Sequence, residues 1–347
     1  MDSSGSIRNE ARRNGKLEIL NYLRMRGPSP RGDLAGQIRL AQAAVHLLTN
    51  ELLYEGILVE RGELPSMERP SRRGRRRMLL DIDENCRFAF GAVLEQDLLH
   101  IGLTNLKGEA LDRLELPLEN PSYRGILEQI VAQLQLLLRN NCIPPEKLLG
   151  AGVCVSRSAA GHLEGVSGRD KLIRLRRDLS HALTMPVAAE TTIAGAISAQ
   201  RLFSRSREEH LLMIRYGRQI DAGVLIGGRI YRGASGQAGG FSAMQLLPDG
   251  RTSYQAAEGQ SGTAEGSNRT LNEKLAGDLE ICCMTLDPEA VYGFGSYLET
   301  EYALAEISRL LAQAQLPPFR ASVVTEGTLF LAGCAVAVEH CFYSQHS

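Results

Sequence analysis

Between Arg69 and Arg77 the chain places six arginines within nine residues. No apolar core can absorb that much charge, so the stretch must lie on a surface or between folded units. It also marks a change in charge balance. Residues 1–78 hold 15 Lys+Arg against 9 Asp+Glu, a net of +6, and the rest of the chain holds 24 against 31, a net of −7. A basic head on an acidic body, in a chain of 347 residues, predicts two or more folded units. The head either meets a polyanion such as nucleic acid or is simply a solvated basic end.

A composition of 44% apolar and 23% charged residues suits packed domains rather than disorder. The apolar run Leu329–Val338 is 10 residues long, short of the roughly 20 that a spanning helix needs. The first residues, MDSSGSIRNEARRNGK, carry no apolar stretch of the secretory kind, so the reading is a cytoplasmic protein with no membrane partner. Seven cysteines with no CxxC pair, several inside apolar runs such as AGVCV and LAGCAVAV, read as core residues in a reducing compartment.

Three helical patterns fill the head. Ile19, Leu20 and Leu23 share one face of the first, which Gly27-Pro28-Ser29-Pro30 stops. The second runs from Arg31 to Ile38, and the third from Ala41 to Glu55 with Val45, Leu48, Leu52 and Leu53 as its apolar stripe. An extended segment begins at Ile57 and leads towards the arginines. Two short helices, a turn, then a helix, a strand and a basic loop is the order of a winged helix-turn-helix, although the trio alone also suits a plain three-helix bundle. In the DNA-binding reading the third helix enters the major groove. Gln42, His46 and Thr49 are then the expected base-reading positions, because Gln and His can bond base edges. Arg31, Gln37 and Arg39 are expected at phosphates, and Arg72, Arg73, Arg75 and Arg76 along the backbone or minor groove.

From Phe88 the pattern changes. Three short strands (88–94, 98–103, 110–116) precede a helix over 123–139, a strand over 148–155, a helix over 172–183, a strand over 186–190 and a helix over 193–203. Strands at 211–216, 222–226 and 229–231 restart the scheme, which closes in helices over 298–313 and 328–342. Two strand-rich starts, each followed by helices, predict a duplicated two-lobe α/β body with a ligand cleft.

The chain resembles the ROK family, bacterial sugar-responsive repressors and sugar kinases on an actin-like two-lobe fold. The segments that carry the resemblance are GPSPRGDLAGQIRLAQAAVHLLTNELLYEGILVERG, GRRRMLLDIDENCRFAFGAVL, IGGRIYRGASGQAGGFSAM, LDPEAVYGFGSYL and GTLFLAGCAVAV. It implies an α/β chain with an N-terminal winged helix-turn-helix followed by a two-lobe actin-like body. Expected limits are 1–68 for the DNA-binding unit, 69–85 for an Arg-rich wing and linker, and 86–347 for the body, with a lobe boundary near 204.

The departures from the family pattern bear on chemistry. Its first phosphate turn, D-I-G, corresponds to Val93-Leu94-Glu95, so a side chain and a negative charge stand where backbone should meet phosphate. In the second phosphate loop, Gly217 to Gly223, Asp221 adds another anion. The Asp that would deprotonate a sugar hydroxyl is Thr192, which cannot act as a base near neutral pH. Gly240 and Ala243 replace a sugar-gripping carboxylate and His. The family's zinc cysteines have no counterpart between Gly250 and Glu280, where SYQAAEGQSGTAEGSN reads as a loop. In the head, Arg39 and Ala41 replace the turn glycine and the helix-capping Ser.

These residues predict a transcriptional regulator of carbohydrate-related genes, repressing in the usual family manner, with no catalytic residue, cofactor or metal. Its partners would be double-stranded DNA, an unidentified small-molecule effector if any, and a second or further copies of the chain in a homodimer or homotetramer. A protein-interaction scaffold is the alternative, and a working sugar kinase a more remote one.

Overall fold

The computed structural model describes residues 3–38, 40–63, 77–119, 121–165, 168–216, 220–234, 236, 238, 239 and 264–343. The head is built from α1 (Ser3–Arg26), β1 (Ser29–Pro30), α2 (Arg31–Gln37), α3 (Gln42–Tyr54), β2 (Leu58–Glu63) and β3 (Met78–Ile82). Gly27 (φ +80°) and Gly56 (φ +68°) turn the chain out of α1 and α3 in the left-handed conformation, as a helix-ending glycine does. Antiparallel β2 and β3 pair Leu58 with Ile82, and β3 also pairs with β1, giving the order β1-β3-β2. Met78–Ile82 is therefore a strand of the head. The linker expected over 69–85 is corrected on this point: the crossing to the body lies between Ile82 and Phe88.

The body begins with β4 (Phe88–Leu94), β5 (Leu98–Asn105), β6 (Ala110–Pro117), α4 (Tyr123–Asn140), β7 (Leu148–Val155), α5 (Gly168–Leu183), β8 (Val187–Thr191) and α6 (Thr192–Phe203). The same sequence of elements then recurs as β9 (Leu211–Tyr216), β10 (Ile220–Ile226), β11 (Arg229–Tyr231), α7 (Ala264–Leu286), β12 (Ala290–Phe294), α8 (Glu301–Gln313), β13 (Phe319–Ala321) and α9 (Phe330–Val338). The two sheets have matching orders, β6-β5-β4-β7-β8 and β11-β10-β9-β12-β13. In each, three antiparallel strands are extended by two parallel ones. The duplicated two-lobe body expected from the sequence is present. Helix α7 was not expected, and its first residues come from the stretch read as a loop.

Outer helices cover the outer faces for amphipathic reasons. Helix α4 buries Ile126, Ile130, Leu134 and Leu137 at helical spacing, and the Ser122 hydroxyl caps it by accepting from the Gly125 amide at 3.1 Å. Between the lobes lies a third core containing α6 and α9. It is continuous with Ile19, Leu20 and Leu23 of α1, Val45 and Leu52 of α3, and Leu80 of β3. Head and body thus share one interior. A single lobe boundary near 204 does not hold, because α9 returns to pack on the first sheet and α6.

Helix α9 is apolar on every side and all nine of its residues are buried. It lies so close to the first sheet that backbone meets backbone: a Cβ on Gly152 would stand 1.9 Å from the Gly333 carbonyl oxygen, and one on Gly91 2.2 Å from that of Phe330. The head is also held by charge. Lys107, in the turn after β5, donates to Asp81 at 3.2 Å and to Glu84 at 3.0 Å, and Glu84 also pairs with Arg61 of β2. Among the cysteines, Cys86, Cys154, Cys283, Cys334 and Cys341 are buried, Cys282 is half-buried, and Cys142 is exposed, so the core reading fails for the last.

Replacing Gly152 by Ala forces α9 off the sheet. Overpacking of this kind is expected to cost about 2 kcal/mol or more in chemical denaturation. The Glu84 site carries a pH dependence. Burial works against its carboxylate, but hydrogen bonds from Arg61 and Lys107 outweigh this and lower its pKa from 4.5 to about 2. A depressed acid pKa contributes stability above the ordinary value, and the contribution is lost as pH falls through the folded value. The stability gap between wild type and Glu84→Gln is therefore expected at pH 7 and should close between about 4.5 and about 2, measured by denaturation across that range.

Candidate nucleic-acid interface and interlobe cleft

Helix α3 leaves Gln42, Ala43, His46, Leu47 and Asn50 exposed, and buries Val45, Leu48, Thr49 and Leu52. The exposed residues form one stripe at the front of the head. Gln42 and His46 stand on it, as expected. Thr49 does not. At roughly 100° per residue it falls about 20° beyond Gln42, past the edge of the stripe. It is fully buried, and its hydroxyl donates to the Val45 carbonyl at 2.8 Å, as helix-buried threonines do. The base-reading role for Thr49 is thus corrected, and Asn50 takes the outward position instead. Its Nδ2 lies 3.1 Å from His46 Nδ1, so the two present adjacent polar groups. Sequence arithmetic could have found Asn50, which follows His46 by one helical turn.

Arg31 was expected at phosphate, but its guanidinium turns inward across α2 and α3. It donates to Thr49 Oγ1 and Asn50 Oδ1, each at 3.3 Å, and pairs with Glu60 at 3.5 Å. It locks the helix pair rather than standing free. Gln37 is exposed at the end of α2. Arg77, the last of the arginine cluster, pairs with Asp33 of α2 at 2.6 Å, which brings the returning wing strand beside the helix-turn-helix. Ala41 stands at the N-cap of helix α3 and gives it no side-chain cap, as the sequence implied. Arg39, Arg72, Arg73, Arg75 and Arg76 lie outside the described residues, as do Gly240 and Ala243.

In the body, two of the residues that the resemblance places at phosphate turns, Glu95 and Asp221, hold ion pairs. Val93 is buried in β4. Glu95, just beyond that strand, accepts from Arg215 Nη1 of β9 at 2.7 Å, and Arg215 Nη2 reaches Glu326 at 3.1 Å. Burial pushes the Glu95 carboxyl up from its usual pKa despite the arginine beside it. Burial also works against the charge of Arg215, yet Glu95 and Glu326 hold its pKa above the ordinary value. A second bridge joins the lobes where Arg157, after β7, donates to Asp221 of β10 at 2.8 Å. Glu95 and Asp221 were expected to repel phosphate. Each is instead matched to an arginine of the opposite lobe, so the lobes are tied together there.

Beside these bridges opens a cleft of about 470 Å³. Its walls come from the end of β7, the first turns of α5, the start of α6 and the β10–β11 hairpin. Glu190 there pairs with Arg232. Thr192, the first residue of α6, has its hydroxyl buried without a hydrogen-bond partner among the described residues. The opposite end of α6 touches the head: the Arg201 carbonyl accepts from Arg24 Nη1 at 3.3 Å, and the Arg24 guanidinium also lies 5.4 Å from the Tyr343 ring centroid. Among the described residues no group of His, Cys, Asp and Glu gathers to hold a metal ion, and no helix is long and apolar enough to cross a membrane.

A two-lobe body of this topology under a winged helix-turn-helix is the architecture of ROK family regulators. A solved ROK family transcriptional regulator, described as a homologue of the E. coli MLC protein, matches 96% of this chain and 97% of its own, with a TM-score of 0.71 at 17% identity. A ROK hexokinase from Thermus thermophilus matches 73% of this chain and 98% of its own, with a TM-score of 0.54 at 20% identity. In sequence, the chain is 29% identical over 243 residues to a putative xylose repressor of Caldicellulosiruptor sp. (strain Rt8B.4) and 22% identical over 245 residues to the xylose repressor of Bacillus subtilis (strain 168). Each alignment covers 67% of this chain, and 58% and 60% of those proteins respectively, so the chain spans under two thirds of their length. No family model matches. The fold is that of a ROK regulator, as the sequence resemblance implied.

Arg215 is the group whose loss should be felt most in the body. Replacing it by Met leaves Glu95 and Glu326 without their shared cation, and breaking a buried pair in this way is expected to cost about 3 kcal/mol in chemical denaturation.

Proposed function

We propose that the chain is a DNA-binding transcriptional repressor of carbohydrate-related genes, with a kinase-like body that senses rather than phosphorylates. The observation that carries this reading is the exposed polar stripe of Gln42, His46 and Asn50 on the second helix of a helix-turn-helix. Gln and Asn can each bond adenine through two hydrogen bonds, and His can bond a base edge in either direction. The wing arginines would add affinity that does not depend on sequence. The xylose repressor relatives support the repressor assignment and the link to sugars.

Lack of kinase activity is supported by the residues at the former catalytic positions. Thr192 has no basic group to offer, and Glu95 and Asp221 are engaged with arginines where phosphate would have to sit. The cleft then serves as an effector site. Helix α6 gives it a mechanical route to the head, since Thr192 at one end lines the cleft and Arg201 near the other is bonded to α1, about 14 Å apart along the helix. A ligand that prefers one lobe arrangement would shift the head through this contact. A single head buries too little DNA for a specific site, so the active form would be a dimer or tetramer on a two-fold operator.

The test is selection of bound sequences from a random DNA pool near physiological salt, with wild type and the Gln42→Ala/His46→Ala variant. A two-fold symmetric motif is expected from wild type and should be lost or relaxed in the variant. Enrichment without a motif, or none from folded protein, would overturn the reading and favour a scaffold.

A further inference from the structure

The cleft has an unusual charge balance for a site that would hold a neutral sugar. Among the described residues five cations line it, Arg157, Arg169, Lys171, Arg176 and Arg232, against two carboxylates, Glu190 and Asp221. Both carboxylates are already matched, Asp221 by Arg157 and Glu190 by Arg232. Lys171 donates to the Ala160 carbonyl at 2.8 Å, which leaves its charge uncompensated. Arg169 and Arg176 are exposed and form no ion pair among the described residues. They are seven residues apart on α5, so they point to the same side of the helix, about 10 Å apart along its axis.

Three further features point to a ligand with both charge and apolar surface. The α5 N-terminus opens into the cleft at Gly168, and its dipole favours an anion there. Thr192, a residue only 3% exposed, lines the same cleft, and its buried hydroxyl has no hydrogen-bond partner among the described residues. Leaving such a group unmatched is costly, which a ligand oxygen would relieve. Ile173 and Tyr231, half-exposed at 51% and 54%, add apolar surface to the lining, which suits a ring.

We propose that the cleft binds a small organic anion, with a carboxylate or phosphate held by Arg169 and Arg176 and a ring laid against Ile173 and Tyr231. The inference rests on the reading of the cleft as an effector site and names the chemistry of that effector. Charge matching, rather than a carboxylate grip on sugar hydroxyls, supplies the selectivity: an anion gains charge-assisted hydrogen bonds from two guanidiniums that a neutral sugar cannot replace. Thr192 contributes an uncharged hydrogen bond on the cleft floor.

Isothermal titration calorimetry of the full chain, without DNA and at low salt, tests this. The probes are glucose 6-phosphate for the phosphate source, glucuronate and phenylacetate for the carboxylate source, and glucose and xylose as neutral controls. At least one acid is expected to bind about tenfold or more tightly than either neutral sugar, and which acid binds identifies the source. Arg169→Gln/Arg176→Gln, at two exposed positions that should leave the melting curve unchanged, is expected to weaken that acid about tenfold and to flatten its salt dependence. Thr192→Val should weaken it while leaving the salt dependence intact. The proposal is overturned if a neutral sugar binds as well as every acid, if the double variant binds the acid like wild type, or if no acid binds up to about 10 mM. Calorimetry without DNA separates the two readings. A chain that selects an operator yet binds only neutral sugar loses this inference alone, and one that binds the acid but selects no DNA loses the repressor assignment.

Discussion

The contact on which the rest of the structure depends is the one between α9 and the first sheet. Side chains normally hold a helix and a sheet about 10 Å apart, but Gly91, Gly152 and Gly333 remove them and let the backbones touch. That close approach makes room for α6 beside α9 in the space between the two sheets. It also carries the central core outward until it merges with the apolar faces of α1, α3 and β3. If the helix were lifted by the width of a methyl group, the cleft wall and the seat of the head would move together.

A second constraint is electrostatic and acts across the lobes. Ionised groups leave water at a cost of several kcal/mol each, so a buried Arg215 is tolerable only with carboxylates in contact. Glu95 from one lobe and Glu326 from the segment before α9 supply them, and Arg157 with Asp221 repeats the arrangement nearby. Glu95 and Asp221, which the sequence placed as unpaired anions in the cleft, are thus the ties that fix lobe geometry.

Much of this was legible in the sequence, for identifiable reasons. Strands such as Phe88–Leu94 and Leu148–Val155 are short runs of small and apolar residues between turns, and α4 carries its apolar residues at strict helical spacing, so both could be placed. The duplication followed from two similar element orders. Helix α7 escaped because its beginning is polar and glycine-rich, although Leu271, Leu275, Leu279 and Cys283 repeat every four residues and bury one face. Strand β3 was hidden by the arginines before it: the charge run suggested a linker, while Leu80 and Ile82 are core residues of the head. The outward placement of Gln42 and His46 was readable from helical phase. Thr49 was assigned one face too far, since a 20° drift in phase separates the exposed stripe from the interior. The cross-lobe pairs of Arg215 and Arg157 could not be read, because residues more than 60 positions apart meet only once the sheets are assembled.

One interior shared between head and body has a consequence for how such a chain can diversify. A DNA-reading unit on a free tether can be exchanged between proteins by recombination, as beads are exchanged on a string. Here Leu23, Leu80 and Val45 are packed in the same continuous interior as Phe330 and Ala335, and Lys107 of the body grips Asp81 of the head. A transplanted head would arrive with half of an interface and a mismatched cavity beneath it. Changes on the outward face of α3 leave that shared interior intact, whereas exchange of the whole head does not.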